Sequence, residues 1–429
     1  MMKKLTTFLF FLCITASIIS QTKSVQSSPL LSEATPTSVG MSSERLARID
    51  QMLKASIEDN QIPGAVALIA RKGKIVYYKA FGSADDNRPF NRDDIFRIAS
   101  QTKAITSTAV MMLWEQGKFQ LDDPISKYIP EFKDMQVFET FNEADSSFTA
   151  KPAEKPITIR HLLTHTSGIG YGFIDQDEFR KIYSKAGIID AFATQPVTIG
   201  ENIKKLAKLP LHHNPGEKWT YSEGLDVLGY LIEIISGQPL DQYFKQHIFD
   251  PLGMSDTYFY LPNAKFSRLV PVQTKTDGQW NSNYSHVAYD VDYPIKGAKM
   301  FFSGGGGLSS TAKDYANFLQ MYLNEGELNG VRLLSRTTVQ SIMGNQIGDL
   351  WGDSGAYYGL AFGVLDQKGQ DMGGRGSAGT FDWGGYFNTQ YFADPKEEVI
   401  GILMKQTQES GPDDTGWKFR ILVGQAIDD

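Results

Sequence analysis

The chain has 429 residues, of which 41% are hydrophobic and 21% charged, and this balance excludes a disordered, collagen-like or multi-span membrane protein. The formal net charge is −7 and the basic residues are scattered, which argues against a nucleic-acid partner.

Residues 1–20 have the pattern of a secretory signal peptide. Two lysines precede an apolar stretch over 5–19, and polar residues follow Ser20. The stretch is short and interrupted, so we expect no stable membrane anchor, and the large neighbours of Cys13 argue against lipidation. Cleavage near Ser20 changes the net charge from −7 to −9 and leaves no cysteine, which excludes disulfides and thiolate chemistry. We expect the mature protein to be periplasmic or extracellular.

The first part of the mature chain predicts a flexible leader followed by a helix and a hairpin. Residues 21–37 are rich in Ser, Thr and Pro, which is typical of a mobile segment. Apolar residues then recur at helical spacing over 46–57. Strand-like runs over 65–70 and 75–80 are joined through a glycine that suits a tight turn.

The other end of the chain repeats this order of elements. Strand-like runs over 386–393 and 399–404 precede a helix from about 417 to 427. Between the ends, helical patterns are predicted for these segments: 100–116, 159–163, 225–235 and 312–324. The polar segment 140–156 is expected to be an inserted surface loop.

These elements predict one α+β domain over 38–429. Both chain ends, at about 38–90 and 375–429, would supply one antiparallel sheet flanked by helices. A mainly helical region over about 95–370 would be inserted between them.

Ser100 and Lys103 form the local pattern that most strongly indicates a reactive side chain. They lie three residues apart at the start of a predicted helix and therefore on the same face. A serine hydroxyl needs an adjacent base to become a nucleophile, and a lysine that loses its hydration releases its proton more readily. The simpler alternative is that Ser100 only caps the helix.

Two other segments have the same Ser-x-x-Lys spacing, so the spacing alone is weakly specific. One, at 20–23, lies at the signal cleavage point. The other, at 310–313, fits a helix start capped by Ser310 or Thr311.

Three segments in order, Ser100 to Lys103, Tyr221 to Glu223 and Trp383 to Gly385, resemble the penicillin-recognising serine hydrolases. Within that group the similarity is to the class C β-lactamases and the family VIII carboxylesterases. Further matching stretches span nearly the whole mature chain, at 162–168, 221–237, 251–257, 303–314 and 383–394.

The resemblance implies an acyl-enzyme mechanism. Ser100 would be the acylated nucleophile, Lys103 its proton partner, and Tyr221 the general base that also activates the deacylating water. The backbone N–H groups of Ser100 and Tyr386 would form the oxyanion hole. The resemblance also implies that substrate is contacted by Glu223, Trp383, Gly384 and Gly385. The substrate would be a small ester or amide, and no metal or organic cofactor is implied.

Two departures from the family pattern favour a carboxylesterase over a β-lactamase or D-Ala-D-Ala carboxypeptidase. Trp383 stands where the lactamases and peptidases carry the lysine of Lys-Thr-Gly, and Glu223 stands where other members have asparagine. Both changes disfavour an anionic ligand. Arg375 is expected to be a solvated loop residue, with replacement of the missing cation as the alternative.

Other functions have weaker support. No G-x-S-x-G elbow occurs to suggest a Ser-His-Asp hydrolase. His161 and His165 lack the H-E-x-x-H pattern of a metal site, so His165 is expected to support a turn, while His212 and His213 are expected at the surface. The glycine run 304–307 is expected to be a flexible loop near the site. A non-catalytic ligand sensor on the same fold is a further alternative.

Overall fold

The computed structural model describes residues 22–85, 88–175, 177–408 and 410–429. The predicted signal peptide and Cys13 lie outside the described residues. Within the described parts of the chain, no helix combines the length and the apolar character needed to cross a bilayer.

The helices have the following bounds: α1 Ser43–Glu58, α2 Thr102–Glu115, α3 Ile159–Leu163, α4 Asp177–Ala186, α5 Ile199–Leu206, α6 Gly224–Ser236, α7 Leu240–Phe244, α8 Tyr293–Lys296, α9 Ala312–Leu323, α10 Arg336–Met343, α11 Gln367–Met372 and α12 Thr415–Gly424. Short 3₁₀ helices include Ala99–Gln101 and Gly172–Ile174, and Lys245–Phe249 is π-helical.

The strands have the following bounds: β1 Ser32–Glu33, β2 Gly64–Arg71, β3 Lys74–Asp85, β4 Arg88–Pro89, β5 Phe96–Arg97, β6 Gln136–Asn142, β7 Ser147–Pro152, β8 Thr274–Thr276, β9 Gln279–Asn281, β10 Ser309–Ser310, β11 Glu327–Leu328, β12 Val331–Arg332, β13 Ala356–Tyr358, β14 Gly363–Leu365, β15 Phe381–Gly385, β16 Thr389–Asp394 and β17 Val399–Met404.

The main sheet joins the two ends of the chain. Its strand order is β1-β3-β2-β17-β16-β15-β14-β13, with β4 paired to β3. The chain ends meet where β2 pairs with β17, from Val66 opposite Met404 to Arg71 opposite Val399. The pairs along this order are antiparallel except β1 with β3, which is parallel and makes the sheet mixed. The predicted α+β fold with flanking helices is confirmed.

Both faces of the sheet are covered, which explains why every residue of β2 is buried. On one face, Ala65, Ala67 and Ile69 pack in the same cluster as apolar residues of α1 and α12. On the other face, Val66 and Leu68 pack against the large core that includes α2, α6 and α9. The helix α2 is buried around most of its circumference, so its N-terminal turn is held between the sheet and the helical region.

Three local expectations about the sheet and the inserted region were wrong. Residues 140–156 form most of the β6–β7 hairpin, whose bulge between Phe138 and Thr140 interrupts the alternation that marks a strand. The run 386–393 is split by a turn, because Asn388 adopts φ +69° before β16. The strands β13 and β14 also join the sheet from within the range expected to be helical.

The expectation of a mobile leader over 21–37 does not match the packing of its described part. The Ser24 amide donates to the Gly330 carbonyl at 3.1 Å, and Arg332 donates to Thr22 at 3.2 Å. The edge strand β1 pairs with β3, and the neighbouring Leu31 is only 6% exposed. These backbone bonds and the buried leucine attach the segment to the body of the protein.

Candidate active site

The turn that carries Ser100 is fixed before α2 begins. Ala99 is buried and adopts φ +42°, a strained value for a residue with a side chain, whereas Ser100 is partly exposed. Around it, the Ile98 amide donates to the Leu308 carbonyl at 3.0 Å and the Tyr315 hydroxyl donates to the Gln101 carbonyl at 3.0 Å. Neighbouring segments thus hold the strained turn and present the Ser100 hydroxyl.

Lys103 lies one helical turn from Ser100 and is only 1% exposed. Its Nζ is 3.4 Å from the Ser100 Oγ and donates a hydrogen bond to the Gly305 carbonyl at 2.6 Å. The same Nζ lies 4.6 Å from the ring centroid of Tyr221 and 4.9 Å from that of Tyr171. The ammonium therefore contacts both the Ser100 hydroxyl and the tyrosine ring contributed by a distant segment.

Tyr221 lies in the turn before α6, within a group of aromatic rings. Its ring stacks on Tyr171 with centroids 5.6 Å apart and on Trp383 with centroids 5.9 Å apart. The Trp383 Nε1 group donates toward the Tyr221 hydroxyl at 3.5 Å. The structure thus brings Ser100, Lys103, Tyr221 and Trp383 together.

The imidazole of His165 packs against the ring of Tyr221. The two ring centroids are 4.7 Å apart, and the Ser222 amide donates to His165 Nδ1 at 3.2 Å. Burial, with a smaller contribution from the Lys103 charge, lowers the pKa of His165 well below its usual value. A neutral imidazole therefore fixes the turn beside Tyr221, as expected for His165. His213, in contrast to the expectation of a surface position, is buried and bonded to the Thr220 hydroxyl at 2.9 Å.

Glu223 is not exposed at all and lies among buried carboxyl groups. Burial, followed by the nearby Asp190 carboxyl, raises the pKa of Glu223 well above its usual value. The side chain predicted to contact substrate is therefore placed beneath the site surface.

The glycine run 304–307 is a buried turn, which corrects the expectation of a flexible loop. A Cβ on Gly304 would lie 2.5 Å from the Leu225 carbonyl oxygen, too close for any side chain. The Gly304 carbonyl accepts a hydrogen bond from Thr106 at 2.7 Å, and the next carbonyl, of Gly305, holds Lys103. This packing gives the run a fixed place beside α2.

Trp383 and the two following glycines form the end of β15. At Gly385 the strand touches the turn that carries Ser100, because a Cβ there would lie 2.4 Å from the Ile98 carbonyl oxygen. The backbone N–H of Tyr386 follows immediately. The Gly385 carbonyl accepts the Asn388 amide at 2.9 Å, which closes the turn beyond it.

Two aromatic clusters border the site. The Trp383 cluster comprises Trp219, Tyr221, Trp351, Tyr358 and Trp383, with neighbouring ring centroids 5.3 to 6.5 Å apart. The Tyr386 cluster comprises Phe173, Phe192, Tyr289, Tyr386 and Phe387, and Ala99 packs against it. The sequence analysis named Tyr221, Trp383 and Tyr386. It missed the following rings, whose spacing along the chain has no period: Trp219, Phe173, Phe192, Tyr289 and Phe387.

Arg375 lies in a loop away from Ser100. This loop contacts the opposite end of β15 and β16, where the Ser377 amide donates to Asp394 at 2.8 Å. The five residues from Phe381 to Gly385 span about 13 Å of extended strand. The strand therefore separates the Arg375 loop from Gly385, where β15 touches the turn that carries Ser100.

Comparison with known proteins identifies the family. The β-lactamase family model matches residues 49–426. Esterase EstB of Burkholderia gladioli is 33% identical over 395 residues, which cover 88% of this chain and 94% of EstB. The lovastatin esterase of Penicillium rubens is 28% identical, with coverage of 82% and 91%.

A solved structure gives the same result. EstCE1, described as a hydrolase with promiscuous acyltransferase activity, superposes with a TM-score of 0.76 at 26% identity, covering 90% of this chain and 99% of EstCE1. The family match extends from α1 to the residues after α12 and so includes the whole site described above. The chain therefore belongs to the β-lactamase family and has its serine hydrolase fold.

Proposed function

We propose that the protein is an exported carboxylesterase that works through an acyl-enzyme on Ser100. The observation that carries this proposal is the position of the Lys103 ammonium, 3.4 Å from the Ser100 Oγ and 4.6 Å from the Tyr221 ring centroid. A buried lysine and a phenol beside one serine hydroxyl can accept and return a proton without a histidine.

In the acylation step, the Ser100 Oγ bonds to the ester carbonyl carbon while its proton passes to the Lys103 and Tyr221 pair. The backbone N–H groups of Ser100 and Tyr386 stabilise the oxyanion of the tetrahedral intermediate. When this intermediate collapses, the carbon–oxygen bond to the alcohol breaks. The departing alkoxide takes the proton held by the pair.

In the deacylation step, water bonds to the acyl carbonyl carbon and its proton passes to the Lys103 and Tyr221 pair, with the Tyr221 oxygen as the direct acceptor. Collapse of the second intermediate breaks the bond to Ser100, which regains this proton from the pair as the carboxylic acid leaves. The contact at 3.5 Å from Trp383 Nε1 to the Tyr221 hydroxyl supports this role, because an N–H donor stabilises the negative charge that the phenol oxygen carries before it accepts the proton.

An uncharged ester fits the surroundings better than a β-lactam or peptide carboxylate. The indole of Trp383 occupies the position of the family lysine, and the loop of Arg375 lies away from Ser100. The carboxyl groups of Glu223, Asp190 and Asp226 lie beneath the site, and the aromatic clusters offer apolar contacts. We propose that Trp383, Gly384 and Gly385 contact the substrate. Glu223 would influence substrate binding from its buried position beneath these residues.

Rates with p-nitrophenyl acetate and with nitrocefin on one preparation test the proposal. We expect ester turnover in large excess over nitrocefin turnover, and no ester hydrolysis by Ser100→Ala. Tyr221→Phe should lower kcat by about 10² to 10⁴, since it removes one proton-transfer group. Ser310→Ala is a matched control, because Ser310 lies in the other described Ser-x-x-Lys segment, where Lys313 is exposed and Thr311 caps α9.

Each outcome decides between the alternatives. Ester hydrolysis that persists in Ser100→Ala refutes the nucleophile. Faster hydrolysis of nitrocefin than of the ester indicates a β-lactamase, and a stable acyl adduct without turnover, seen by intact mass, indicates a sensor. Export is tested by the N-terminus of the protein recovered outside the cytoplasm, which we expect near residue 21.

A further inference from the structure

Asp226, in the first turn of α6, bonds to the segment that holds Lys103. It is buried, and its Oδ1 accepts hydrogen bonds from the Ser303 hydroxyl at 2.7 Å and the Gly305 amide at 2.9 Å. Its Oδ2 has no hydrogen-bond partner among the described residues. Burying a carboxylate costs free energy unless hydrogen bonds and a nearby positive charge compensate for the lost hydration.

The backbone of Gly305 connects Asp226 to Lys103. Its N–H donates to Asp226, and its carbonyl, which belongs to the next peptide group, accepts from the Lys103 Nζ at 2.6 Å. A negative group at one side of a glycine residue and a positive group at the other polarise the intervening backbone favourably. A Cβ on Gly305 would lie 3.0 Å from Asp226 Oδ2, so the carboxylate and the backbone are closely packed.

We propose that Asp226 is a positioning residue for Lys103, because it fixes the Gly305 carbonyl that holds the ammonium beside Ser100. This inference rests on the proposed proton-transfer role of Lys103. It also gives the buried glycine run a function. Only glycines fit between α2 and α6 and still allow the Gly305 N–H to bond to Asp226 and the Gly305 carbonyl to bond to Lys103.

Several charged and titratable groups face this arrangement. Glu223 precedes α6, Asp190 lies in the loop after α4, and Tyr171, His165 and Tyr221 surround the ammonium. Burial raises the pKa of Asp226, and the Lys103 charge opposes that shift. Among these carboxyl groups, Asp226 is the one whose hydrogen bonds lead directly to the segment holding Lys103.

The test compares Asp226→Ala and Asp226→Asn with the same changes at Asp314. Asp314 is a matched control away from the site, because its buried Oδ2 also accepts one hydroxyl and one amide, from Thr257 at 2.9 Å and Asp256 at 2.7 Å. The readouts are ester kcat and KM, and the rate at which a fluorophosphonate modifies Ser100. Thermal unfolding of all four variants is measured in parallel.

Asp226→Ala should lower kcat and the fluorophosphonate rate about 100-fold, as a misplacement of about 1 Å does, with little change in KM. Asp226→Asn keeps an oxygen that can accept both hydrogen bonds, so it should retain most of the kcat and most of the fluorophosphonate rate. The Asp314 variants should lose stability without either change.

The proposal is overturned if folded Asp226→Asn loses as much kcat and labelling rate as Asp226→Ala. It is also overturned if Asp226→Ala, once shown to be folded, loses no more activity than Asp314→Ala. If Asp226→Ala does not fold, Asp226→Asn decides, because a loss of about 100-fold in that variant contradicts the proposed role of the two hydrogen bonds. The fluorophosphonate rate reports Ser100 reactivity alone, so a protein that labels normally but hydrolyses no ester refutes the proposed function and leaves this inference testable.

Discussion

Replacing Gly385 with alanine should separate β15 from the turn that carries Ser100. The added Cβ would lie 2.4 Å from the Ile98 carbonyl oxygen and 2.3 Å from the Thr389 Oγ1. The threonine hydroxyl can rotate away, but the Ile98 carbonyl belongs to the strained backbone before Ser100. To reach ordinary van der Waals contact, the end of the strand must withdraw by about 1 Å.

The displacement acts on the proposed oxyanion hole, because the Tyr386 N–H follows Gly385 directly. Loss of one oxyanion donor costs about 10²- to 10³-fold in kcat, which corresponds to about 2.7 to 4 kcal/mol of transition-state stabilisation. We expect Gly385→Ala to fall in this range with a smaller change in KM, since the donor acts mainly on the transition state.

Gly384→Ala is the matched control. Its Cβ would lie 3.2 Å from the Thr389 carbonyl oxygen and 4.0 Å from the Gln390 Cγ, so a shift of a few tenths of an ångström suffices. We expect a loss below about tenfold, or 1.4 kcal/mol. Steady-state ester kinetics and circular dichroism at one temperature compare the two folded variants. A Gly385→Ala protein with the kcat of Gly384→Ala would refute the placement of the oxyanion hole.

Two further predictions concern stability. In α6, Ile232 is 0% exposed and Ile234 is 40% exposed, so in urea unfolding Ile232→Ala should cost about 2 to 5 kcal/mol and Ile234→Ala less than about 1 kcal/mol; equal losses would contradict the assigned core. Burial, followed by the Lys155 charge, lowers the pKa of His161 from 6.5 to about 4, so protonation favours the unfolded chain. The free energy of unfolding should fall between about pH 6.5 and 4, and His161→Gln should remove about 1 kcal/mol of that fall after allowance for partial exposure; parallel pH curves would contradict this.

Local sequence patterns predicted the main strands and helices, because the residues that indicate each element are contiguous in the chain. The buried runs that became β2, β3 and β17 contain several apolar residues in succession, and the helices α1 and α9 repeat apolar residues at helical spacing. The packing of the leader was not predictable from its polar composition, because its backbone pairs with a segment near Gly330 that is distant in sequence. Composition does not report which partner a backbone amide finds.

The site was predictable in the same uneven way. Ser100 and Lys103 lie on one helical turn, so their spacing alone joins them, whereas Tyr221 was identified only through resemblance to a known family. The contacts of Lys103 with Gly305 and of Asp226 with Ser303 join segments with no shared pattern. The burial of Glu223 also depends on carboxyl groups that only the fold brings near it.

The large sequence separation of these contacts has a consequence for how the protein folds. Lys103 and Gly305 are 202 residues apart in sequence, and Tyr221 and Trp383 are 162 apart. Such distant pairings form slowly, because the chain loses the entropy of a long loop before packing contacts stabilise the pair. Ester turnover therefore reports completion of folding: an intermediate with sound secondary structure but an undocked β15 remains catalytically silent.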